Sequence, residues 1–228
     1  MQQLLIENKN TLDKDSLIIF FAGFAQEKNL LQDLTLPYDT LYVYDYSDMD
    51  FSYAILKHYK NIHVIAWSLG VFVAPFILRD KLKDFNISFD VAINGTIKAI
   101  DSVYGIAPSM YKATYESLTD ISFIKFLRRI CGSQDKLNLY LPYKCKRAIN
   151  TVRNELIEIE KAYSSIDINK LLDIKYKNAI VSLKDKIFLK DNQELFFKEN
   201  NTKVDLIDAS HYDRDLFIKA IAYLNHAH

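Results

Sequence analysis

The sequence predicts an α/β domain built on a mainly parallel sheet, and three observations carry that reading. Short, fully apolar runs recur along the chain and stop at small or polar residues; helix-compatible segments lie between most of them; and mid-chain the strand-like runs give way to a long stretch of helical periodicity. Brief apolar runs bounded by turn signals are the pattern of strands buried on both faces, as parallel strands are. Their alternation with helices argues for an α/β arrangement.

The first run, 16–21 (SLIIFF), ends at Ala22-Gly23, and the same grammar recurs at 41–44 before Asp45, at 62–65 before Ala66 and at 91–93 before Asn94-Gly95. Two later runs, 179–181 before Lys184-Asp185 and 203–207 before Asp208, bring the expected strands to six. A helix is expected over 71–80, with Pro75 about two turns inside it for no reason the sequence supplies. Between about 109 and 165 strands are absent, and Ile121, Ile124, Leu127 and Ile130 recur at helical spacing, as do the apolar residues of 149–163. This marks a helical insertion, approximately 107–166, inside a single domain. Leu216, Phe217, Ala220, Ile221 and Leu224 predict a closing amphipathic helix over 213–225.

Composition narrows the class. A chain of 228 residues buries one sizeable core, and 50% hydrophobic content with 13% aromatics excludes general disorder. A formal net charge of zero argues against a dedicated nucleic-acid binder. Cys131 and Cys145 are too few and too isolated for a zinc site or a disulfide framework, which points to the reducing cytoplasm; no cofactor or metal is expected. The first ten residues lack the basic-then-apolar pattern of a signal peptide, and uncharged apolar stretches such as 17–25 fall short of the ~20 residues that span a bilayer, so no membrane association is expected. Only five glycines occur where average usage gives roughly 16, so each is expected where the backbone demands it.

The sharpest motif is Ile65-Ala-Trp-Ser68-Leu-Gly70-Val71, a strand running into a serine with small residues at both second neighbours. Such a strand-to-helix elbow lifts a serine hydroxyl above the sheet, and only small side chains fit where the two backbones meet. Ala66 stands where glycine is usual. Of the five histidines, His63 lies within a strand, His58 in a charged stretch, and His226 and His228 at the tail; His211 follows the last strand and precedes the last helix, the place for a base. Asp185 closes the preceding strand 26 residues earlier and fits as the carboxylate that orients the imidazole, with Asp191 and Asp208 as alternatives. An oxyanion would need two backbone donors: Leu69 N–H after the serine and Phe24 N–H in the loop after the first expected strand. Trp67, Phe72 and Tyr104 are candidate pocket walls, although aromatic residues at such positions are more often simply core.

Together and in this order, the strings Phe20-Phe-Ala-Gly-Phe24, Tyr44-Asp-Tyr-Ser-Asp48, Trp67-Ser-Leu-Gly-Val71 and Ala92-Ile-Asn-Gly-Thr96 resemble the BioG-type pimeloyl-[acyl-carrier protein] methyl ester esterases. So do Asp101-Ser-Val-Tyr-Gly-Ile106, Arg128-Arg-Ile-Cys-Gly132, Asp185-Lys-Ile-Phe188 with Asn192-Gln193, and His211-Tyr212, so the likeness spans almost the whole chain. The resemblance implies an α/β-hydrolase fold with a helical lid, a Ser68–Asp185–His211 triad, and hydrolysis of the pimeloyl methyl ester carried by an acyl carrier protein in biotin synthesis. Alanine at position 66 is usual in that family, whereas Phe24-Ala25 replaces a frequent Trp-Gly.

A carrier-protein partner also fits the charge pattern. Residues 121–153 hold eight basic side chains against the single acid Asp135, so this segment carries +7 and the remainder −7. Lys125, Arg128 and Arg129 share one helix face and are the candidate docking residues for an acidic carrier. Two other readings stand beside this one: a broader carboxylesterase or acyl-thioesterase with the same triad, and a non-catalytic carrier-binding module.

Overall fold

The computed structural model describes residues 1–11 and 13–225; His226 and His228 lie outside them. One strand that the sequence reading did not anticipate, β1 (Gln2–Ile6), precedes the six expected ones: β2 (Ser16–Phe21), β3 (Asp39–Tyr44), β4 (Asn61–Trp67), β5 (Ile87–Ile93), β6 (Asn178–Ser182) and β7 (Lys203–Ile207). They form one sheet in the order β1-β3-β2-β4-β5-β6-β7. Strand β1 runs antiparallel to β3, and every other pair is parallel. An edge strand buries only part of its length, and β1 offers five residues with no preceding turn signal, too little for a period to register. Strand β2 is the opposite case: all six residues are buried, which is why its run is unbroken.

Helix α1 (Gly70–Leu78) leaves β4 directly and ends in a 3₁₀ turn at Arg79–Lys81. Pro75 sits inside it and cannot donate to the Val71 carbonyl one turn back. The hydroxyl of the buried Tyr176 donates to that carbonyl instead, at 3.2 Å, so the proline leaves no orphaned acceptor.

The insertion between β5 and β6 contains four helices where periodicity suggested two: α2 (Pro108–Glu116), α3 (Asp120–Cys131), α4 (Gln134–Tyr140) and α5 (Ile149–Ser164). The two that escaped detection are short and bury little, only Tyr111 in α2 and Leu137 with Tyr140 in α4. Helix α3 is the well-signalled one, with a Thr119/Ser122 capping box at its start and a left-handed Gly132 at its end. Helix α6 (Lys190–Glu199) joins β6 to β7, and α7 (Arg214–Asn225) closes the chain. Among the described residues, no helix is long and apolar enough to cross a membrane.

Candidate active site

Four consecutive strands end in the same unusual way. Ala25 after β2, Asp45 after β3, Ser68 after β4 and Asn94 after β5 all hold left-handed backbone conformations, with φ of 57°, 56°, 59° and 47°. Each costs of order 1–2 kcal/mol for a residue with a β-carbon. Strain of this kind gathered along one sheet edge marks where a parallel α/β sheet builds its sites.

At the elbow, the Ser68 amide donates to the Ile93 carbonyl of β5 at 2.8 Å, and Val71 N–H donates back to the Ser68 carbonyl at 3.0 Å. A β-carbon on Gly70 would come within 2.5 Å of both the Phe21 and Ala22 carbonyl oxygens, so this position admits no side chain. The buried Ser68 Oγ lies 2.9 Å from His211 Nε2, and His211 Nδ1 lies 2.8 Å from Asp185 Oδ2. With its Nδ1–H donated to the carboxylate, the imidazole leaves the Nε2 lone pair to accept from the serine hydroxyl. Asp185 is fixed in turn: its Oδ1 accepts from the Ile187 and Phe188 amides at 2.7 and 3.1 Å, and its Oδ2 from Gln193 Nε2 at 3.2 Å. The two alternative carboxylates are elsewhere. Asp191 and Asp208 are exposed and pair with Lys190 and Lys184.

The structure corrects the aromatic walls. Trp67 is 1% exposed and lies behind the histidine, not along a pocket. Its indole donates to the His211 carbonyl at 3.1 Å, and its ring leans on the His211 imidazole, which also stacks against Phe188. Phe72 packs against Phe76 and Tyr163, while Tyr104 bonds to Glu199 and packs on Phe196. Three polar residues that were assigned no role from sequence, two of them within the family strings, do the holding. Asn94 donates to the Ser182 hydroxyl and the His211 carbonyl at 2.8 Å each and accepts from the Ser182 amide at 2.8 Å. Gln193 braces Asp185. Glu155, from the insertion, accepts the Ala25 amide. Burial pushes the Glu155 carboxyl up to about 7; Arg147 opposes that and Asp45 adds to it.

A cavity of about 210 Å³ opens beside Ser68, with Phe24 and Leu69 at its base and Met110, Tyr111, Phe126 and Leu156 of the insertion as apolar walls. Neither the Phe24 nor the Leu69 amide donates to a protein acceptor among the described residues. Arg129 and Lys186 are the cations on the cavity's lining. Lys125, Arg128 and Arg129 are all exposed on α3, and no ion pair engages them among the described residues. The rest of the basic segment is partly neutralised, Lys136 by Asp213 and Arg147 by Asp45, Glu155 and Glu27.

Residues 7–222 match the family model described as pimeloyl-ACP methyl esterase BioG. The chain belongs to the BioG family. A solved BioG from Haemophilus influenzae shares 30% identity and superposes with a TM-score of 0.81, covering 93% of this chain and 94% of that one. In sequence, an uncharacterised protein of H. influenzae is 33% identical over 87% of this chain and 89% of its own length. The malonyl-[acyl-carrier protein] O-methyltransferase of Bacteroides fragilis is 31% identical over 92% of this chain, which spans only 42% of that longer protein. Staphylococcus aureus MenH (TM-score 0.67, 16% identity, covering 98% of this chain and 97% of that one) and an enol-lactonase from Burkholderia xenovorans (0.70, 11%, 99% and 96%) share the fold. This BioG chain therefore has the α/β-hydrolase fold, as its sequence motifs led one to expect.

Proposed function

We propose that this chain is a serine carboxylesterase that hydrolyses the methyl ester of pimeloyl-[acyl-carrier protein] in biotin synthesis, with Ser68 as nucleophile, His211 as base and Asp185 as the carboxylate that orients it. The observation that carries this reading is the hydrogen-bonded series Ser68–His211–Asp185, at 2.9 and 2.8 Å, opening onto an apolar cavity in a BioG-family chain.

In the proposed cycle His211 Nε2 takes the Ser68 proton as Oγ attacks the ester carbonyl. Charge on the carbonyl oxygen develops towards the free Leu69 and Phe24 amides and the positive end of α1. His211 then gives its proton to the departing methoxide, and methanol leaves. Water, deprotonated by the same nitrogen, attacks the acyl-enzyme carbonyl and releases Ser68 and the carboxylic acid. Asp185 stays ionised and stabilises the imidazolium at each stage.

The helical insertion serves as a lid and carrier dock in this reading. Its unpaired cations Lys125, Arg128 and Arg129 suit an acidic carrier, with Ile121 (73% exposed) offering apolar contact on the same helix. Arg129 lies both on that face and on the cavity lining, which would lead the carrier's arm inward and put the distal ester at Ser68. Two buried, unpaired cysteines support a reducing compartment, the cytoplasm.

The test is methanol release from carrier-bound pimeloyl methyl ester, beside complementation of a biotin auxotroph lacking its own esterase. Ser68→Ala is expected to lower turnover on the order of 10⁶-fold with the fold intact, and wild-type KM should rise with salt as docking weakens. Turnover retained by Ser68→Ala removes the nucleophile. Preference for a short p-nitrophenyl ester or an acyl thioester over the carrier-bound methyl ester removes the substrate.

A further inference from the structure

The loop after β2 is gripped mainly by the insertion. The Phe24 ring packs edge-on against Phe123 and Phe126 of α3, at centroid distances of 6.5 and 5.5 Å. The Phe24 carbonyl accepts from Gln26 Nε2 at 2.9 Å, and Gln26 Oε1 accepts from the Tyr140 hydroxyl of α4 at 3.1 Å. The Gln26 carbonyl accepts from Arg147 at 3.2 Å. The Ala25 N–H lies 3.3 and 3.2 Å from the two oxygens of Glu155 on α5. Glu155, Gln26 and Tyr140 are all buried.

These bonds act on one rigid unit. A peptide group is planar, so the Phe24 carbonyl and the Ala25 amide belong to a single plate. Gln26, braced by Tyr140, holds one edge of the plate and Glu155 the other. With the Phe24 ring fixed against α3 as well, little freedom remains in the direction of the Phe24 N–H. The grip also accounts for an alanine at φ 57°, which the neighbouring chain has no local reason to maintain. A buried carboxylate is costly to keep, and Arg147, which also pairs with Asp45 and Glu27, keeps this one in place.

We propose that Glu155 is a positioning residue for the oxyanion loop: from the insertion it sets the Phe24–Ala25 peptide so that the Phe24 N–H meets the developing oxyanion, making the site competent only when the insertion is seated. This rests on the serine-esterase reading above. Anything that shifts the insertion, a docked carrier included, then acts directly on transition-state stabilisation and not only on access.

The test compares Glu155→Gln, which keeps a carbonyl acceptor for Ala25 N–H, with Glu155→Met, which keeps the length and loses the acceptor. Glu155→Met is expected to lower kcat about 100-fold, the usual cost of one oxyanion donor, with KM within about threefold. Its affinity for an alkyl boronic acid, which forms a tetrahedral serine adduct, should fall in parallel. Glu155→Gln should recover activity to within about tenfold of wild type. A folded Glu155→Met that keeps kcat within threefold, equal losses in the two variants, or an effect confined to KM each overturns the proposal. If Glu155→Met does not fold, amide exchange in the wild-type protein decides: a protected Ala25 N–H is expected, and exchange at the rate of an open loop overturns. Ser68→Ala separates the two levels, since turnover retained there defeats the esterase reading, whereas turnover lost there beside an active Glu155→Met defeats only this inference.

Discussion

The two amides proposed to receive the oxyanion are held by different physics. Leu69 follows Ser68 in the elbow, where β4, α1 and the neighbouring β5 leave one backbone path, fixed by Ser68 N–H to Ile93 O at 2.8 Å and by the absence of any side chain at Gly70. Phe24 stands in a loop whose bonds reach 114 to 130 positions along the chain into the helical insertion. One donor is set by close approach within the sheet and its first helix, the other by a separate structural unit. In the proposed site Ser68 is thus held rigidly, while half of the proposed electrostatic stabilisation answers to the insertion.

After Ser68→Ala, the largest expected effect tests the rigid half. Asp185→Asn should lower kcat by about 10⁴-fold, because the amide no longer selects the Nδ1–H tautomer of His211. Asp191→Asn and Asp208→Asn, at exposed carboxylates paired with lysines, should stay within about threefold. Steady-state kinetics on all three variants checks the order, and an Asp208→Asn loss matching that of Asp185→Asn would break the assignment.

Gly70→Ala comes next. Its new β-carbon would sit 2.5 Å from two backbone oxygens at the end of β2, where neither can yield without moving the Phe24 loop. About 1–3 kcal/mol of lost stability is expected in urea unfolding. The elbow and the loop then suffer together, so a variant that loses stability without losing kcat would show the two halves to be independent.

A third, smaller effect probes the insertion side through pH. Glu155 is raised from 4.5 to about 7 by burial, so the fold binds a proton the unfolded chain has already released. The stability from this group is complete below about 4.5 and is lost as pH rises through about 7. The groups that interact with it are Arg147, Asp45, Tyr42, Tyr46 and Tyr111, and Glu27 and Cys145 meet Arg147. Thermal melts of wild type and Glu155→Gln from pH 4.5 to 8 should diverge by on the order of 3 kcal/mol, wild type declining relative to the variant. Parallel curves would mean that Arg147 holds the carboxylate ionised throughout.

The same division separates what the sequence made legible from what it did not. Strands β2 and β4, the elbow and the order of Ser68, Asp185 and His211 are written in local runs and spacings, and the hydrogen bonds join those three side chains. Strand β1 had too short a pattern, and α2 and α4 bury too little to show a period. Trp67 read as a wall because adjacency to Ser68 says nothing about which face of the strand it occupies. Gly132, whose place the sequence did not explain, caps α3 at φ 81°, and an added β-carbon would meet the Ser210 hydroxyl oxygen at 2.0 Å, next to His211. Glu155, Gln26 and Tyr140 had no signal, and Asn94 stood in a family string with no role attached, since a lone polar residue becomes a brace only through partners that folding brings from far along the chain.

The smallest expected effect is the most discriminating between the two kinds of holding. Ala25→Gly relieves a left-handed alanine, worth about 1 kcal/mol, and adds unfolded-state entropy worth about 0.4–1 kcal/mol in the opposite direction. The terms nearly cancel, so stability in urea should change by less than about 0.5 kcal/mol. Activity then reports on Glu155 alone. If the insertion's carboxylate holds the peptide, a more flexible residue at 25 remains gripped and kcat falls only about two- to threefold, the cost of a slightly looser loop. If Ala25 itself stiffens the loop, glycine releases the Phe24 amide and kcat falls towards the roughly 100-fold loss of a missing donor. Comparing Ala25→Gly with the Ala25→Gly/Glu155→Gln double variant completes the argument: with the carboxylate replaced by a weaker acceptor, the glycine's freedom should matter more, and the double variant should lose more than the product of the two single losses.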